Sequence, residues 1–61
     1  MGVAMVPLSG AVRGKKSGKV FSLVLAMAIE VNASVALWFI IYDNKTGEFQ
    51  KVQKDDLEVI V

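Results

Sequence analysis

Val20-Phe-Ser-Leu-Val-Leu-Ala-Met-Ala-Ile-Glu-Val-Asn-Ala-Ser-Val-Ala-Leu-Trp-Phe-Ile-Ile-Tyr42 is the stretch on which the fold turns. Its 23 residues are apolar apart from Ser22, Glu30, Asn32 and Ser34. A run of this length reads either as one helix across a bilayer or as two buried strands. Lysines ahead of it, and Trp38 and Tyr42 near its end, suit a membrane span. Glu30 does not, because as the eleventh residue it would sit near the bilayer centre. The twelve Val, Leu, Ile and Phe residues contribute about −5 kcal/mol on an insertion scale. Glu30, Asn32 and the two serines bring that sum near zero. On a helix Glu30 and Asn32 would stand about 200° apart, so one of them would face lipid. Taken as a turn, residues 30–34 put the polar groups in water between strands of about ten and nine residues. Two strands are the better reading; a single-pass membrane protein through 20–42 is the competing one.

Working outward, Asp43-Asn-Lys-Thr-Gly47 has the chemistry of a hairpin loop. Asp can accept hydrogen bonds from its own turn, and Gly supplies a positive φ. The loop should join 34–42 to 48–53 as antiparallel neighbours. Lys54-Asp-Asp56 makes a second short turn, and 57–61 reads as a closing strand with Leu57, Val59 and Val61 on one face. On the upstream side, residues 2–12 are extended by their β-branched Val3, Val6 and Val12. Pro7 lacks a backbone donor, which makes this segment an edge strand or an irregular arm. Residues 13–19 (RGKKSGK) are a loop by glycine content and charge.

Trp38-Phe-Ile-Ile-Tyr-Asp43, Thr46-Gly-Glu-Phe49, Val52 and Asp55-Asp-Leu-Glu-Val-Ile60 resemble the last three strands of an SH3-like barrel of the Tudor type. The shared pattern is a strand ending in an acidic turn, a Gly-containing hairpin, a 3₁₀ turn near Asp-Leu, and a last strand. It covers residues 38–61 and implies an all-β fold: a small five-stranded SH3-like barrel or a strongly bent antiparallel sheet. One domain over 1–61 is expected, with 1–19 as an arm and basic loop and 20–61 as the β core. Tudor-type members hold methylated cations in aromatic cages, but no aromatic residue here maps onto one. Fold alone does not assign function.

Size adds a constraint. A 6.6 kDa chain hides on the order of 5,700 Å² on folding, which is worth roughly 85 kcal/mol if about 60% is apolar. Conformational entropy opposes this with about 90 kcal/mol. The chain has no Cys and no His, so neither a disulfide nor a Cys/His zinc site can act as a staple. With 54% hydrophobic and 21% charged residues, an apolar patch should be left for a larger protein partner or for homo-oligomerisation. Absence of Cys fits a reducing compartment, and a cytoplasmic location is expected.

Chemistry for catalysis is not visible, and neither a catalytic residue, a metal ligand set nor a cofactor is expected. Without His or Cys no hydrolase triad assembles. Asp55 and Asp56 are adjacent and read as turn residues. Gly10-Ala-Val-Arg-Gly14-Lys15 and Gly14-Lys-Lys-Ser-Gly18-Lys19 each have one residue too few for a phosphate loop. Asn32-Ala-Ser34 and Asn44-Lys-Thr46 have the sequon spacing but follow no signal peptide, and Val6 stands where a myristoylation signal needs Ser or Thr.

Two features are left as candidate surfaces. Trp38, Ile40 and Tyr42 alternate onto one face of a strand, with Phe39 and Ile41 on the other. Both faces are apolar, whereas a small sheet usually keeps one face wet. One face should fill the core and the other should meet the N-terminal arm, a second copy, or a partner, the last as in an accessory subunit or an inhibitor, for example of replication or transcription machinery. The alternative is an RNA- or DNA-binding, ribosome-associated protein that uses Arg13, Lys15, Lys16 and Lys19 on phosphates. The two-strand reading predicts a β-type far-ultraviolet circular dichroism spectrum from protein that is monodisperse without detergent. A helical spectrum obtained only in detergent would restore the membrane span.

Overall fold

The computed structural model describes residues 2–60. Residues 20–42 form a hairpin of two long strands, not a helix. The strands are Val20–Val31 and Ser34–Asp43, which in chain order are β3 and β4. They are joined by only Asn32 and Ala33, at φ 51° and 63°. A two-residue loop with both residues at positive φ twists in the same sense as the strands it links. Asn tolerates that conformation, whereas Ala adopts it at a cost of about 1–2 kcal/mol. The expected five-residue turn is therefore a two-residue one. Glu30 lies inside β3 opposite Val35, where it reaches water from the side of the sheet. The membrane-helix reading of 20–42 is corrected by this hairpin. Among the described residues no helix is long and apolar enough to cross a membrane.

The next hairpin forms as its chemistry dictates. Asp43 Oδ1 accepts the backbone N–H of Lys45 at 2.9 Å and of Thr46 at 3.4 Å, and the Gly47 N–H closes onto the Asp43 carbonyl at 2.8 Å. Gly47 sits at φ 75°, where a side chain would be strained. The chain returns as β5 (Glu48–Gln53), makes one 3₁₀ turn over Lys54–Asp56, and enters β6 (Leu57–Val59). Leu57 is buried, but Val59 is exposed at the sheet edge, so the apolar alternation does not make one buried face; Val61 lies outside the described residues.

The N-terminal arm proves to be two strands, β1 (Gly2–Pro7) and β2 (Ala11–Gly14), which pair end to end along one edge of β3. Pro7 and Gly10, at φ 135°, break the segment just where β3 carries a bulge between Leu23 and Leu25. The break is tied to the bulge on both sides: Leu8 N–H donates to Val24 O and Leu23 N–H donates to Gly10 O, each at 3.0 Å. A bulge bends the strand that carries it, which lets one chain serve two sheet sections. The five expected strands are thus six among the described residues.

The sheet order is β5-β4-β3-β2-β6, with β1 also on β3, and every pairing is antiparallel. Among the described residues the end strands β5 and β6 do not pair with each other, so the sheet is bent but not closed. Its concave side holds Val12 and Ile41, at 0% and 1% exposure, with Phe21, Leu23, Phe39 and Leu57 around them and Ala26 and Val52 at the margin. All of this lies toward the bulge end. Beyond it β1, β3 and β4 continue as a three-stranded blade, and the molecule measures 36 × 21 × 20 Å. Its exposed surface is 4378 Å², about 500 Å² above the roughly 3,900 Å² that size scaling gives a compact chain of this mass.

Ala33→Gly should stabilise the fold by about 1 kcal/mol, since it relieves a positive φ with no other contact changed. Denaturant unfolding with an unchanged slope and a raised midpoint is the expected result. A lowered midpoint would mean that the turn is not of this type.

Candidate interaction surface

Strand register assembles the apolar residues into rows. On the convex face Val3, Ile29 and Ala36 form one row, Met5, Met27 and Trp38 the next, and Pro7, Leu25 and Ile40 a third. Tyr42 continues the face beside Phe49, with ring centroids 5.0 Å apart and planes tilted by 53°. The expected parity on β4 holds: Phe39 and Ile41 are in the core, and Trp38, Ile40 and Tyr42 stand half-buried on the opposite face. Trp38 is not bare, because Lys51 Nζ lies 4.9 Å from its ring centroid. Such a cation over an indole is held by the ring quadrupole, and its stem covers part of the ring.

The most exposed members were not among the residues singled out from the sequence. Met5 is 63% and Phe49 66% exposed, and Val3 is exposed as well. The signal that could have found Val3 and Met5 is the apolar character of both parities in 2–6 and 24–29, which no one-sided sheet requires. On the concave side the blade is uncovered too. Ala4, Ala28 and Leu37 share a row there, as do Gly2, Glu30 and Val35. Beside them runs a groove of about 250 Å³ lined by Val35, Ala36, Leu37, Gln53, Lys54 and Asp55. The blade is therefore apolar on both faces, whereas sheets of that kind are ordinarily covered on both.

The basic cluster is dispersed by the fold. Arg13 is in β2, not in a loop, and its Nη2 pairs with Glu58 Oε1 on β6 at 2.8 Å. The true loop is tightened by Gly14 N–H donating to Lys19 O, Gly18 N–H to Gly14 O, and Lys19 N–H to Ser17 Oγ. Lys15 donates its backbone N–H to Asp56 O, which brings the loop beside the acidic 3₁₀ turn. Lys19 acts on Asp43 across a hollow that also includes Lys45 and Thr46. Of the four cations, only Lys15 and Lys16 are left without such a neighbour. Two phosphate contacts give a salt dependence of only about two in log–log slope. No group of three or more potential metal ligands occurs among the described residues.

Compared with known proteins, the chain matches no family model, no curated protein and no solved structure.

Asp43 is the group in this region whose titration is perturbed. The Lys45 backbone N–H is the largest cause, and it holds the carboxyl below its usual value of 3.8; partial desolvation opposes it, and Thr46 and Lys19 lower it further. A depressed carboxylate stabilises the fold above its unfolded pKa and loses that contribution as pH falls through its folded pKa. The melting temperature should therefore drop as pH falls below about 4, and the drop should be shallower in Asp43→Ala. Parallel profiles for the two proteins would show that the turn does not feel the charge.

Proposed function

We propose that this chain is a non-catalytic protein-interaction module, with the strand order of an SH3-like barrel left open, which docks on a larger protein through its apolar blade. The observation that carries the reading is the Met5–Met27–Trp38 row and its neighbours on a sheet that is apolar on both faces. Methionine and tryptophan suit such a role, since flexible thioethers adapt to a partner's relief and indoles anchor interfaces. A site of this kind fits an accessory subunit or an inhibitor that occupies another protein's assembly surface. The SH3-like assignment is supported by three features: the antiparallel order, the Asp43–Gly47 hairpin, and the 3₁₀ turn before the last strand. A nucleic-acid role is weakened by the Arg13–Glu58 pair and by Asp43 near Lys19.

The test is affinity capture from lysate of the source cell after nuclease treatment, at low salt and at about 1 M salt, where the screening length is about 3 Å. A discrete protein should be retained in both, lost with Trp38→Lys, and kept with Lys15→Glu/Lys16→Glu. Circular dichroism on the Trp38 variant checks that it folds. Capture that vanishes with nuclease or with the lysine variant overturns the docking reading and puts the loop at the centre.

A further inference from the structure

The blade ends in a strand edge with unusual properties. β1 pairs with β3 on one side, and among the described residues its other side pairs with nothing. β6 covers the neighbouring β2, but its last described bond, Ile60 N–H to Ala11 O, stops short of β1. All six residues of β1 are exposed, and the strand carries no charged side chain. Natural edge strands normally resist pairing with charges, bulges or cover. Here the one blocking residue is Pro7, at the far end.

Backbone direction can be assigned from the hydrogen bonds. Leu8 N–H points at β3, where it reaches Val24 O. N–H groups alternate along a strand, so Val6 and Ala4 also face β3, whereas Val3, Met5 and Pro7 face the open edge. The missing donor of Pro7 thus falls where no bond to β3 is lost, as expected of an edge proline. The open edge presents the N–H and C=O of Val3 and of Met5. This set is its own complement under a two-fold rotation.

We infer that β1 is a homodimer edge, at which two copies join antiparallel into one continuous sheet whose centre runs β4-β3-β1-β1-β3-β4. The inference deepens the docking reading by assigning one side of the blade to a second copy of this chain. A two-fold axis through Ala4 sets Val3 opposite Met5 of the second copy and forms four N–H···O bonds, two from each pair. Ala4 faces its own equivalent at the axis, a non-hydrogen-bonded position where side chains approach closely and small ones fit. Pro7 lies beyond the bonded register. Glu30 is separated from its equivalent by two intervening strands, so no like charges meet.

Side-chain chemistry supports this occupant: Val3 and Met5, both exposed in the single chain, become apolar cross-strand neighbours on the convex face. The dimer also doubles the convex apolar face without covering it, which leaves that face for the larger partner.

Sedimentation across a dilution series, combined with amide hydrogen exchange, tests the inference. The expected result is a species of twice the 6.6 kDa chain mass that dissociates on dilution, with Val3 and Met5 amides slowed at high concentration and fast at low concentration. Met5→Pro removes an edge donor that makes no bond within the chain, so it should give a folded monomer with the Ile41 amide still protected. Val3→Lys serves as a second edge variant should that proline disturb β1. Trp38→Lys should leave the dimer intact while abolishing capture of the larger protein, so the two readings fail separately. A monomer at all concentrations, or a dimer whose Val3 and Met5 amides exchange fast, overturns the inference.

Discussion

The long β3–β4 hairpin outruns the core it helps to build. The bulge end of β3 and the adjoining half of β4 place Phe21, Leu23, Phe39 and Ile41 around Val12. The remaining length continues past the last core residue, with alanine, valine, leucine, isoleucine and methionine on both sides. Among the described residues a cluster of six buried ones is all that the fold encloses. The 500 Å² of surplus surface corresponds to roughly 10 kcal/mol if it is largely apolar, comparable with the whole stability of a small domain. An association that hides it therefore contributes on the scale of folding itself.

The bulge at Val24 is what permits this arrangement. On one side of it β3 pairs with β2 around the core; on the other it pairs with β1 in the blade. Without the bend, the N-terminal segment would run straight and either leave the core uncovered at Val12 or leave the blade two strands wide. A two-stranded ribbon is marginal in water, and a third strand is what such a sheet needs to persist. The break at Pro7–Gly10 and the bulge thus form one device, built from a residue that lacks a donor and a residue that tolerates φ 135°.

The sequence made some of this legible and hid the rest for identifiable reasons. The Asp43–Gly47 loop was readable because its signals are local: an Asp acceptor, a Gly, and apolar runs on either side. The parity of Trp38, Ile40 and Tyr42 against Phe39 and Ile41 was readable because alternation is a property of one strand. Glu30 misled because a charged residue between apolar runs looks like a turn, while the real turn uses Asn32 and Ala33 without a glycine. Arg13 misled because its partner Glu58 lies 45 residues away and only the β2–β6 register brings them together. The Met5–Met27–Trp38 row was hidden for the same reason: each residue is unremarkable alone, and register makes the surface.

We propose that the blade becomes buried when this chain associates. Hydroxyl-radical footprinting tests it most directly, because Met5, Met27 and Trp38 carry side chains that oxidise readily. In the dilute purified chain all three should be modified. In the assembly isolated from cells they should be protected, while Lys15 and Lys16 remain open to an amine-reactive label. Met5, Met27 and Trp38 oxidised equally in both, with the lysines protected instead, would contradict the account and give the interface to the loop.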